Sequence, residues 1–170
     1  MSKYFALFIS LIVASQALAQ DFNELARRNG FKDIKLGSSV DSIKGAGFEK
    51  DFMEMKEFEA KLYSVKNPEY EKIGEADVKS VELKVYKSLI YEIIVTTAKD
   101  PRIMRALEKS FGKATYNMRT ETYAWRAPGQ LSLVYKGHHK EIVLVYKSHP
   151  VIKLMYADKK KKVDEIADDF

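Results

Sequence analysis

Three histidines and no cysteine limit what metal or thiol chemistry this 170-residue chain can offer. His138 and His139 are adjacent, so in a strand they would point to opposite faces. Beside Gly137 they fall in a hairpin turn, where the two rings can converge. No two histidines have the i, i+4 spacing that sets a pair of ligands on one side of a helix, so no metal and no other cofactor is expected. No serine sits in a Gly-x-Ser-x-Gly elbow. Ser38 and Ser39 follow Gly37, where their hydroxyls serve as helix caps. Gly45-Ala46-Gly47 lacks the third glycine and the preceding strand of a dinucleotide turn. Gly112-Lys113 lacks the upstream glycine of a phosphate loop, since that position is Leu107. Both read as helix stops.

Glu92 is the one acid set inside an apolar strand. Buried there alone, it would have a raised pKa and could act as a general acid, as one of the paired carboxylates of a glycosidase does. Facing outward, it would pair across strands with a lysine such as Lys84. His149, before Pro150 in a loop, has no evident catalytic partner. No residue here is assigned a catalytic role.

Aromatic residues are plentiful, at 10 Tyr, 9 Phe and 1 Trp. Tyr123 and Trp125 alternate on one face of a strand, and Tyr135 comes opposite them across a hairpin. Exposed, this patch and the neighbouring His138 and His139 would form a binding surface for a protein or a glycan. Turned inward, the same stripe would be sheet core.

The net charge is +5, with acids and bases interspersed. The one basic run is Lys159, Lys160, Lys161 and Lys162, flanked by Asp158, Asp164, Glu165, Asp168 and Asp169. The acids cancel most of its long-range field. It offers a weak contact to an anionic surface and no nucleic-acid footprint.

The elements that position these residues follow from periodicity and caps. Asp21 caps a short helix that stops at Gly30, and residues 31–36 are extended. Ser38 or Ser39 caps a second short helix through Ile43. Residues 58–65 are extended, and 66–77 form a polar loop. Residues 78–86 and 89–97 alternate as a hairpin about Lys87-Ser88, the second strand being apolar on both faces as a central strand is. Asp100-Pro101 opens a helix that carries Ile103, Leu107 and Phe111 on one side and ends at Gly112. Strands are expected at 121–126, 131–136 and 142–146, with another at 151–155 and a terminal helix from Asp158. The order is helix then strands, twice over. The fold class is α+β, with short helices on an antiparallel sheet, and the order is compatible with a degenerate duplication of one helix-plus-hairpins unit.

Lys3, the apolar stretch 5–13 and the small residues of Ala17-Leu18-Ala19 compose a secretory signal peptide over residues 1–19, cleaved before Gln20. Its apolar run is shorter than a membrane span. Residues 20–170 then form a single exported, cysteine-free domain, periplasmic or secreted and without a lipid anchor.

The stretch Phe31-Lys32-Asp33-Ile34-Lys35-Leu36-Gly37-Ser38-Ser39-Val40-Asp41-Ser42-Ile43 resembles the opening of β-lactamase-inhibitor-protein-like and BamE-type exported bacterial modules. In those, a Leu-Gly-small-Ser turn starts a short helix. The chain also resembles small uncharacterised exported bacterial proteins. The resemblance implies a helix-plus-sheet plan and binding of another protein, and it assigns no residue a role. The expected function is therefore a non-catalytic domain that binds a macromolecule, most simply a protein of the envelope or exterior. The alternative is an exported hydrolase whose site is assembled from scattered acids and histidines.

Overall fold

The computed structural model describes residues 22–167; the signal peptide expected over residues 1–19 lies outside the described residues. Helix α1 (Phe22–Arg28) leads into a small hairpin, β1 (Gly30–Phe31) with β2 (Ile34–Lys35), and a 3-10 turn at Val40–Ser42. Strands β3 (Ala46–Glu54) and β4 (Phe58–Val65) follow. After them come a second 3-10 turn at Pro68–Tyr70, the two-residue β5 (Lys72–Ile73), β6 (Ala76–Tyr86) and β7 (Leu89–Ala98). Helix α2 (Pro101–Phe111) then precedes β8 (Thr115–Asn117), β9 (Thr122–Ala127), β10 (Leu131–Gly137), β11 (Glu141–Ser148) and helix α3 (His149–Ala167).

The main sheet is antiparallel throughout and runs β3-β4-β6-β7-β11-β10-β9-β8. It consists of two four-strand meanders, each entered from a helix and each starting at an outer edge. They meet last strand to last strand, with Ile93 opposite Tyr146, Ile94 opposite Val145 and Val95 opposite Leu144. The repeated helix-then-strands order of the sequence is thus a repeated topology, with the seam in the middle of one sheet.

The seam explains why β7 and β11 are apolar on both faces. One face carries the main core, where Ile93, Val95, Leu144 and Tyr146 pack with Leu25 of α1 and with Ile103 and Phe111 of α2. The other face carries a smaller cluster at one end, where Val151 and Met155 of α3 cover Phe58, Tyr86 and Tyr91. Burying each such side chain stabilises the fold by about 1.5–3 kcal/mol.

Helix α2 follows its sequence signals closely. Asp100 is extended and its side chain accepts from Arg102 N, Pro101 occupies the first turn, and Gly112 ends the helix at φ 75°. Ser39 caps the first 3-10 turn by accepting from Asp41 N. The Lys87-Ser88 turn has φ 47° and 69°, the doubly left-handed turn that matches the twist of a hairpin.

Two expectations are corrected. Residues 151–155 are helical, because α3 begins at His149 rather than at Asp158. Ser148 Oγ accepts from Val151 N and Pro150 sits in the first turn, while Val151 and Met155 at i, i+4 spacing reach the same cluster. The stretch 66–77 is not a plain loop. It holds the 3-10 turn, β5, and Tyr70, which is buried against Phe31.

Candidate functional site

Trp125 is corrected as a binding residue, because it is core. It is 1% exposed and meets Phe111 edge to face, and its Nε1 donates to the Gly112 carbonyl at 2.7 Å. That bond closes the end of α2 onto β9.

Tyr123 and Tyr135 share the face of Trp125 but lie toward the other end of their strands, with Tyr135 still partly packed on the core. There the sheet register lines up Tyr116 of β8, Tyr123 of β9 and Tyr135 of β10. Ring centroids are 4.8 Å apart for Tyr116–Tyr123 and 6.1 Å for Tyr123–Tyr135. Tyr116 is 48% exposed and Tyr123 36%, while Tyr135 is half-buried. Burial, and then the neighbouring Tyr123, push the Tyr135 hydroxyl above the ordinary phenol range. Sequence reasoning missed Tyr116, because β8 has only three residues, all exposed. A readable signal existed. Tyr116 and Tyr123 flank the polar turn 118–121 evenly, as opposed residues of a hairpin do.

The rim of this ladder is basic. Arg119 in the β8–β9 turn, Lys136 at the end of β10 and Lys140 in the next turn are all exposed, against Glu121 as the acid of these turns. Met118, at the tip, is 81% exposed. His138 and His139 stand in the β10–β11 turn as expected, both exposed, with His138 N donating to the Glu141 carbonyl. His149 starts α3 at the opposite end of β11, about 26 Å away at the usual strand rise. The three histidines therefore do not converge, and no cluster of three metal-binding side chains occurs among the described residues.

Glu92 is 5% exposed and paired, which joins the two readings of it. Its Oε1 lies 3.2 Å from Lys84 Nζ and its Oε2 2.9 Å from Lys147 Nζ. Lys84 also holds Glu54 at 2.9 Å, and the Tyr91 hydroxyl donates to the same Glu54 oxygen at 2.7 Å. Burial alone would raise the Glu54 pKa. The bonds from Tyr91 and Lys84 outweigh that and hold it below the usual carboxylate range. Both oxygens of Glu92 are thus held by lysines inside a structural network.

A groove of about 650 Å³ lies between the β3–β4 hairpin, the β6–β7 turn and α3. Phe58, Tyr86 and Met155 lie along it. Its lysines (Lys61, Lys87, Lys159 and Lys162) alternate with Asp51, Glu57 and Glu59, so its charge selects no one kind of ligand. Within the basic run of α3, Lys159 pairs with Glu57 at 2.6 Å and Lys161 with Glu165 at 3.7 Å. No helix among the described residues is long and apolar enough to cross a membrane.

Comparison with protein-family models, curated proteins and solved structures finds no match to this chain.

Proposed function

We propose that this chain is an exported, non-catalytic domain that binds another protein through the Tyr116–Tyr123–Tyr135 ladder. The observation that carries the reading is the ladder itself: three tyrosines in cross-strand register on a sheet, Tyr116 and Tyr123 exposed and Tyr135 half-buried behind them against the core. Tyrosine offers a broad apolar contact with a polar tip and few rotatable bonds, which is why it recurs at the centres of protein interfaces. The basic turns around it favour a partner with an acidic surface and make the affinity fall as salt rises.

The test starts from immobilised residues 20–170 and the envelope and medium fractions of the native host. A captured protein is purified and titrated against the wild type and a Tyr116→Ala/Tyr123→Ala variant. Affinity lower by tenfold or more, with unchanged thermal unfolding, supports the ladder. A captured protein that binds the variant equally well removes the ladder from the reading. Failure to capture any protein removes the reading as a whole.

A further inference from the structure

The opposite edge of the sheet is β3. Its nine residues are exposed along nearly their whole length, and among the described residues no strand lies on its outer side. An open edge pairs with whatever strand fits it, and proteins blunt such edges with bulges and charges. β3 has both. The register shift between Phe48 and Lys50 ends the flat run and leaves residues 50–54 as the pairing segment. The charges on that segment are Lys50, Asp51 and Glu54, and their order discriminates among partners.

Opposed residues of an antiparallel pair share a face of the sheet. The pairing of β3 with β4 puts Lys50, Phe52 and Glu54 on one face, opposite Leu62, Ala60 and Phe58. Asp51 and Met53 are on the other, opposite Lys61 and Glu59. Two copies of β3 related by a two-fold axis can pair only in registers that keep these sets together. A pair centred on Asp51 places that carboxylate against its own copy. A pair centred on Met53 shortens the run to residues 52–54 and sets Phe52 against Glu54. A pair centred on Phe52 places ring beside ring and sets Lys50 against Glu54 of the second copy, twice by symmetry. Glu54 makes its bonds to Lys84 and Tyr91 through Oε2, which leaves Oε1 for the incoming lysine. Met53, 51% exposed, then lies beside Asp51 of the second copy on the other face.

We infer that the chain self-associates as a two-fold dimer through antiparallel β3–β3 pairing centred on Phe52, so that one sheet runs through two copies. The charges that repel a generic strand match this one.

Residues 20–170 are examined by size exclusion with light scattering over a concentration series reaching several hundred micromolar. So short a pair buries less than a standard interface of about 1,600 Å², so dimer is expected only from tens of micromolar upward. Lys50→Glu opposes like charges at both ends of the pair and is expected to raise the dimerisation midpoint tenfold or more. The chain has 0 cysteines, so Phe52→Cys introduces a lone thiol that meets its own copy at the axis. Mild oxidation is expected to give a covalent dimer with Phe52→Cys and little with Lys50→Cys, whose opposite residue is Glu54. A wild type that stays monomeric across the series overturns the proposal. So does a dimer that is unaffected by Lys50→Glu. Should Phe52→Cys fail to fold, the Lys50→Glu shift alone decides. The tyrosine-ladder variant keeps the dimer, which separates this edge from the surface proposed for the partner.

Discussion

Lys84 stands between Glu54 and Glu92, 2.9 Å from one carboxylate and 3.2 Å from the other. It is the only group in this network that touches both acids. Lys147 pairs directly with Glu92, acts on Glu54 only through its charge at longer range, and is about twice as exposed as Lys84.

That difference predicts an order of effects. Lys84→Met leaves two half-buried or buried carboxylates side by side without their shared cation. It is expected to cost about 3 kcal/mol, in the range seen for broken buried pairs. Lys147→Met removes a partly solvated partner and is expected to cost less than about 1 kcal/mol. Urea unfolding at neutral pH measures both, and equal effects would contradict the central place of Lys84.

The same network predicts an alkaline limb in the stability curve. Burial, and then the bond to Glu54, push the Tyr91 hydroxyl above the ordinary phenol range, and burial does the same to Tyr146. A folded-state pKa raised above the unfolded value near 10 gives stability that is complete below that pH and declines as pH rises past it. Unfolding midpoints are therefore expected to hold steady to about pH 10 and to fall beyond it. Tyr91→Phe is expected to flatten that fall.

Trp125 gives a packing prediction. Trp125→Phe keeps a ring against Phe111 but leaves the Gly112 carbonyl without its indole donor, at an expected cost of about 1–2 kcal/mol. Trp125→Ala also empties the site beneath α2 and is expected to cost about 3–5 kcal/mol. Partner affinity of the folded Trp125→Phe protein is expected to be unchanged, because the ring does not reach the surface.

Two glycines separate backbone strain from a steric clash. Gly30 has φ 145°, and a Cβ there would lie 2.1 Å from the Ile34 carbonyl oxygen. Gly129 has φ 72°, with nothing within 4 Å of the added atom. Gly30→Ala is expected to cost more than about 2 kcal/mol, because the β1–β2 hairpin must open. Gly129→Ala is expected to cost about 1 kcal/mol, from the left-handed backbone alone. Thermal melts of the two variants check the contrast.

Elements that announce themselves locally were legible in the sequence. α2 has its cap, its first-turn proline and its terminal glycine within one stretch, and the β6–β7 hairpin has alternation on both arms. β3 carried no such mark. As an edge strand exposed over most of its length, with Phe52 and Glu54 half-buried on one face, it shows no apolar period long enough to read. α3 was misjudged because Val151 and Ile152 favour strands, while the Ser148 cap and the cluster it serves become evident only once Phe58, Tyr86 and Tyr91 are brought beneath it. For the candidate site, Tyr123 and Tyr135 were found from alternation. The same alternation could not separate them from Trp125. What divides the face into a dry end and a wet end is how far α1 and α2 reach over it, and no local pattern encodes that.

The seam between the two meanders sets an order of events for a chain made or threaded from its N-terminus. β7 is complete at Ala98, but its neighbour β11 starts only at Glu141. In the interval the first meander ends in a strand whose outer edge is unpaired and which carries Ile93, Ile94 and Val95, an apolar edge open to other chains. Closing the seam requires contacts between distant parts of the chain, which topology makes slow to form. A cell that makes this protein must keep that strand from finding another chain first, so yield depends on how quickly the second half follows the first.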